Sequence, residues 1–128
     1  MKKLNTKQTL EAVAQVFTDH PNIYTRRTFA RDKAGRETDL TGNKACKFCV
    51  SGLLRRMVVE NLITVETRCA AVYAMERALI EDSQIIKSIV TLNDVHGRAA
   101  VVKIARRAAA APLPILPLTV RQNLGLVP

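Results

Sequence analysis

The sequence predicts a mainly α-helical domain of about four helices with one short β-hairpin; an α+β arrangement is the nearest alternative. Three observations point there. Aromatic residues make up only 4% of the chain and Trp is absent, so the core must be built from Ala, Val, Leu and Ile, which favours closely packed helices. Apolar residues recur at helical spacing in four separate segments. Between the first two of these lies a run of strand formers followed by the turn-like "DKAGR". At 128 residues the chain has the size of one ordinary domain. It reads as a single helical domain over residues 1–111 and a Pro-rich apolar C-terminal tail over residues 112–128.

The elements follow in order. Asn5 and Thr6 can cap a helix over residues 6–18, which places Leu10, Val13, Ala14 and Phe17 on one face. "DHPN", Asp19 to Asn22, ends it. Tyr24, Thr28 and Phe29 suit a strand, and Gly35 in "DKAGR" suits a turn with positive φ. This stretch carries Arg26, Arg27, Arg31, Lys33 and Arg36 against only Asp32 and Glu37. A second helix is expected from Lys44 to Glu60, with Cys46, Cys49, Val50, Leu53, Leu54, Met57 and Val58 as its apolar stripe. Lys47, Ser51 and Arg55 lie on the other side. Gly52 costs about 1 kcal/mol against Ala inside a helix, so something is expected to pack closely there. "NLI", Asn61 to Ile63, ends this helix.

A third helix runs from about Glu66 to Asp82, with Ala71, Met75, Ala78 and Leu79 buried and Glu76, Arg77, Glu81 and Asp82 facing water. "SQIIKSIVTL" reads as a loop and a short buried strand with Ile89 and Val90 in the core, and a strand pair involving residues 88–92 is expected. The fourth helix opens at "LNDVHGR", Leu92 to Arg98, and runs through Ala110. Val101, Ile104, Ala105 and Ala108 face inward, and Lys103, Arg106 and Arg107 form a basic stripe opposite. Pro112, Pro114 and Pro117 then forbid a regular helix. Leu113, Ile115, Leu116, Leu118, Leu124 and Leu126 make the tail too apolar to float freely. It is expected to dock on this domain or on a second copy, which would make a homo-oligomer.

The net charge is +9, which attracts polyanions: an acidic protein or a nucleic acid. The candidate binding residues are Arg26, Arg27, Arg31, Lys103, Arg106 and Arg107. No run reaches the roughly 18 apolar residues of a membrane span, so no membrane partner is expected. Met-Lys-Lys leads into polar residues, and the cysteine count is odd, at three. These features read as a cytoplasmic protein with reduced thiols.

Several residues carry chemistry-bearing types. Cys46 and Cys49 form a CxxC at a helix start, where helix amides and Lys47 would favour a thiolate. A redox pair of that kind follows a strand in a βαβ unit, and that pattern is missing. Zinc would need a fourth ligand, and only Cys69, His20 and His96 remain. No metal or cofactor is therefore expected, and both thiols read as small apolar residues facing a core. Cys49 with His96 and Asn93, or Asp94, matches the residue types of a thiol hydrolase. The strands that carry the base in such enzymes are not evident. Asn93 and Asp94 are strong N-caps and account for the start of the fourth helix without catalysis. They leave His96 and Arg98 unexplained. "SGLLRRMVVENLITVE" resembles the end of a winged-helix domain, a recognition helix leading into the first wing strand.

Three further stretches, "FARDKAG" (Phe29 to Gly35), "ACKFCVSGLL" (Ala45 to Leu54) and "TLNDVHGRAAVVKIARRA" (Thr91 to Ala108), resemble a family of small uncharacterised bacterial and phage proteins, a domain of unknown function. In that family an Arg-Asp-x-x-Gly type of turn precedes a Cys-x-x-Gly-Ala helix, and an Asn-Asp-x-x-Gly-Arg/His motif opens a later helix. Order and spacing agree over about residues 24–110. The resemblance singles out Cys49, Gly52, Asn93, Asp94, Gly97 and Arg98. Cys46 is outside the pattern, Leu92 stands where the family has an aromatic residue, and Leu53 stands where it has Ala. The resemblance implies a small helical domain with a short hairpin and implies no activity. The expected function is a non-enzymatic intracellular binding protein of phage or prophage type, acting through its basic surface. The rivals are a nucleic-acid-binding protein and a thiol-dependent enzyme using Cys49 and His96. "LNDVHGR" is expected to start the fourth helix and to tie the hairpin to the Cys49 helix.

Overall fold

The computed structural model describes residues 2–83 and 85–112. The elements are α1 (Thr6–Asp19), a 3-10 turn (Pro21–Ile23), β1 (Ala30–Arg31), β2 (Lys47–Phe48), α2 (Val50–Val59), α3 (Val65–Ser83), α4 (Ile89–Thr91) leading into a π-helical turn (Leu92–His96), and α5 (Arg98–Ala110). The chain is mainly helical, with one two-stranded antiparallel sheet among the described residues. No helix among them is long and apolar enough to cross a membrane.

The helical core follows the predicted faces. Asn5 accepts the Gln8 amide at 2.8 Å and the Gln8 side chain accepts the Asn5 amide at 3.0 Å, a reciprocal cap that starts α1. Leu10, Val13, Ala14 and Phe17 are buried on one side of α1, and Val101, Ile104, Ala105 and Ala108 on one side of α5. Small residues at Ala14, Ala105 and Ala108 let these helices approach closely. Ala71, Met75, Ala78 and Leu79 add the buried face of α3, and Leu54 and Ile63 close the same cluster from the α2 side.

The hairpin region departs from expectation. β1 pairs with β2 in the register Ala30 to Phe48 and Arg31 to Lys47. Asp32 makes the turn: its carboxylate accepts the amides of Ala34 and Arg36, and Gly35 sits at φ +85°. Residues 37–46 intervene before β2. Tyr24 forms only an isolated bridge to Phe48, and Thr28 and Phe29 precede β1 rather than forming it. Lys47 and Phe48, expected inside the second helix, are extended, and α2 begins at Val50. Outside partners claim the backbone of this stretch: the Phe48 carbonyl accepts the Thr25 amide at 3.0 Å, and the preceding Cys46 amide donates to the Arg31 carbonyl at 3.0 Å. Sheet pairing overrides an apolar pattern that fitted a helix.

Residues 88–92 form no strand pair. Ile89–Thr91 is a helical turn, started by the Ser88 hydroxyl accepting the Val90 amide and by the Glu76 carboxylate accepting the Ile89 amide, both at 3.1 Å. Glu76 thus turns to a backbone partner instead of facing water. Ile89 is buried, but Val90 is 55% exposed and not a core residue. The expected fourth helix is split, because Gly97 at φ +91° separates the π turn from α5. The tail beyond Pro112, with its expected docking and oligomer contacts, lies outside the described residues.

Candidate functional site

The site is built around the N-terminus of α2. Cys49 is the cap: its Sγ accepts the Gly52 amide at 3.1 Å. Asn93, 1% exposed, reaches in from the π turn, and its Oδ1 accepts the Val50 amide at 2.9 Å. Two of the amides that a helix start leaves without intrahelical partners are satisfied in this way. The other end of the Asn93 amide donates to the Thr25 carbonyl at 3.1 Å and to Asp94 Oδ1 at 3.0 Å. Asp94 Oδ1 also accepts the Arg27 amide at 2.9 Å, and the Tyr24 hydroxyl donates to the Asn93 carbonyl. The expectation that Asn93 or Asp94 caps its own helix is therefore corrected. α5 starts at Gly97 without a side-chain cap, Asn93 caps α2 across the fold, and Asp94 orders the Arg27 backbone. The π turn and Gly97 separate the pair from α5, so neither residue stands at that helix's N-cap.

The two glycines of the motif are set by close approach. A Cβ on Gly52 would lie 1.9 Å from the Phe29 carbonyl oxygen, which is the tight packing expected there. A Cβ on Gly97 would lie 2.7 Å from the Arg26 guanidinium, in a backbone conformation that L side chains rarely adopt. Arg98 donates to the Phe17 carbonyl at 2.8 Å, a cation near the C-terminal end of α1.

This knot holds the loop from Thr25 to Phe29 and with it two adjoining concavities. Arg31 braces the loop from below, donating to Thr25 Oγ1, the Gly35 carbonyl and the Arg26 carbonyl at 3.0–3.2 Å. Arg27 sits at φ +65°, a strained conformation for a residue with a side chain. Tyr24, Thr25, Arg26, Arg27, Arg31 and Arg98 line an open groove whose walls carry no carboxylate. Beside it is a cavity of about 340 Å³ whose walls include Arg27, Phe29, Glu37, Cys49, Val90 and Asp94. Arg27 belongs to both.

Of the predicted binding residues, Arg26, Arg27 and Arg31 come together. Lys103, Arg106 and Arg107 line none of that groove. Lys103 and Arg107 share the Asp82 carboxylate, and Arg106 donates to Thr18 Oγ1. Arg98, read only as part of a motif, joins the first set, and Tyr24 and Phe29, read as strand residues, line the site. A lone arginine after a glycine carries no sign of this, because the fold alone brings it beside residues 24–31.

The thiol candidates assemble only in part: Cys49, Asn93 and Asp94 share the cavity, and His96 is not in its wall. Burial pushes the Cys49 thiol up, against the helix amides of Gly52 and Ser51, and the nearby Asp94 charge pushes it further. An activated thiol needs the opposite. His96 is exposed. Cys46 is exposed and lies before β2, so the CxxC spans a strand instead of opening a helix, and both thiols are free. Among the described residues no group of three His, Cys, Asp or Glu is placed to hold a metal ion. The resemblance of α2 to a recognition helix also ends early, since α3 begins at Val65 where a wing strand would follow. Arg56 of α2 is spent on the Leu40 and Gly42 carbonyls and on Glu60. No protein-family model, no curated protein and no solved structure matches the chain.

Proposed function

We propose that this is a small intracellular binding protein, of the phage or prophage type its motifs resemble. It engages an acidic partner, protein or nucleic acid, through the groove of Arg26, Arg27, Arg31 and Arg98, and performs no reaction. The observation that carries the reading is the composition of that groove: four guanidinium groups and no carboxylate in its walls. Guanidinium forks are suited to bidentate recognition of carboxylate and phosphate. Arg31 donates Nε, Nη1 and Nη2 within the fold and so adds fixed charge to the groove more than a free fork. Arg98 is positioned by one bond to the Phe17 carbonyl, so little of its side-chain freedom is lost on binding. The basic stripe on α5 is a weaker candidate because Asp82 offsets part of its charge. The buried, uphill thiol of Cys49 and the absence of His96 from the cavity wall favour binding over thiol chemistry.

The test is a titration of the protein against a labelled polyglutamate peptide and a labelled mixed-sequence DNA across a salt series. The affinity for at least one should fall linearly on logarithmic axes as salt rises, and the double charge reversal Arg26→Glu, Arg27→Glu should abolish it. No association with either polyanion at the lowest salt overturns the proposal.

A further inference from the structure

We infer that the arginine groove and the adjoining cavity form one site for single-stranded nucleic acid, with backbone phosphates in the groove and one base in the cavity against Phe29. The inference rests on the binding role proposed above and names its partner.

The two concavities have opposite character. The groove offers Arg26, Arg27, Arg31 and Arg98 with no acidic residue in its walls. One bidentate arginine satisfies the two oxygens of a carboxylate, so several guanidinium groups along one groove fit a chain of phosphates better. The cavity is lined by Phe29 and Val90, which are 47% and 55% exposed, together with the carboxylates of Glu37 and Asp94. Those carboxylates repel phosphate and accept hydrogen bonds from the amino groups on base edges. At about 340 Å³ the cavity is at the small end of ligand sites, which run from about 300 to 1,000 Å³. That size suits a single planar group better than a helix or strand of a protein partner.

Phe29 supplies the platform. A half-exposed aromatic ring beside a basic groove is the arrangement on which unpaired bases stack. The Arg55 guanidinium lies over one face of the Phe29 ring, 5.0 Å from its centroid, which leaves one face for a base. Bases inside a duplex are stacked on each other and cannot enter such a cavity, so the strand must be single. Arg27 stands in both walls, where one nucleotide's phosphate meets its base. Its left-handed backbone is held by Asp94, yet the residue is exposed, so packing does not offset the strain. Placing that guanidinium between phosphate and base gives the strain a purpose.

The experiment measures binding of a labelled single-stranded oligonucleotide, the duplex of the same length, and polyglutamate. The proteins are the wild type and the folded variants Phe29→Ala, Phe29→Tyr, Arg27→Ala and Lys33→Ala. The single strand should bind tighter than the duplex and polyglutamate. Phe29→Ala should weaken single-strand binding about tenfold with the salt slope unchanged, and Phe29→Tyr should restore it. Arg27→Ala should lower the salt slope by about one phosphate, while Lys33→Ala, outside the groove, should leave the affinity near wild type. Equal or tighter binding of duplex or polyglutamate, or unchanged single-strand affinity in Phe29→Ala, overturns the inference and leaves the acidic-partner reading standing. Failure to bind any of the three overturns both.

Discussion

The two halves of this molecule are held together by different physics. The packing of α1, α3 and α5 rests on buried apolar area spread over many side chains, including Leu10, Phe17, Met75 and Val101. The union of the hairpin, α2 and the π turn also buries Ala30, Val50, Leu54 and Leu92, but adds to that burial a few directional contacts between distant segments. Asn93 alone serves the Val50 amide, the Thr25 carbonyl and Asp94, and Gly52 alone lets the Phe29 backbone come close enough. Dispersed burial tolerates exchange of one side chain for another of similar volume. A knot of directional bonds concentrates the same stabilising task in residues that have no substitute.

Gly52→Ala should break the knot hardest. The new methyl would overlap the Phe29 carbonyl, a backbone atom that can move only by shifting β1, and the loss should reach about 3 kcal/mol. Urea denaturation measures it. A loss below about 1 kcal/mol would show that the Phe29 segment yields, and the contrast between the two halves would weaken. Asn93→Ala comes next. It leaves the Val50 amide and the Thr25 carbonyl without their partner, which should cost about 2–3 kcal/mol. Leu10→Met, at an equally buried site in the helical half, should cost less than about 1.5 kcal/mol. If it costs more than Asn93→Ala, the ranking of the two halves is reversed.

The smallest effect is a matter of pH and reactivity. Burial raises the ionisation points of both the Cys49 thiol and the Tyr24 hydroxyl above their ordinary values of 9.0 and 10.0. Both groups are therefore folded in their neutral forms. Their contribution is fully present below those ordinary values and is lost as pH rises through the raised ones. The urea midpoint should hold steady at neutral pH and fall in the alkaline range. In the same samples at neutral pH, exposed Cys46 should be alkylated well before Cys49, as mass spectrometry of the peptides would show. Modification of Cys49 at the rate of Cys46 would mean that the α2 N-terminus opens readily.

The contrast also explains what could be read in advance. The inward faces of α1 and α5 were legible because helical periodicity and apolar burial are both local signals. Gly52 was legible as a point of close approach because a glycine inside an amphipathic helix has a local cost that something must offset. The start of α2 was not, because Cys46, Phe48 and Cys49 continue the apolar spacing and only the partner strand decides that Lys47 and Phe48 are extended. Val90 was misplaced for the same reason: an apolar run cannot say which of its members faces out. In the candidate site, Arg26, Arg27 and Arg31 stand out as neighbours in a basic run, whereas Arg98 joins them only in space.

By itself the sequence determined the helical class, the buried faces of α1, α3 and α5, and the Gly35 turn. Each of these depends on residues within a few positions of one another. Tertiary structure alone decided that Asn93 caps α2 instead of its own helix, that Asp94 holds Arg27, and that Arg98 lines one groove with Arg26 and Arg31. Those outcomes turn on hydrogen bonds between segments more than 40 residues apart, and no local preference encodes which distant amide a buried side chain will meet.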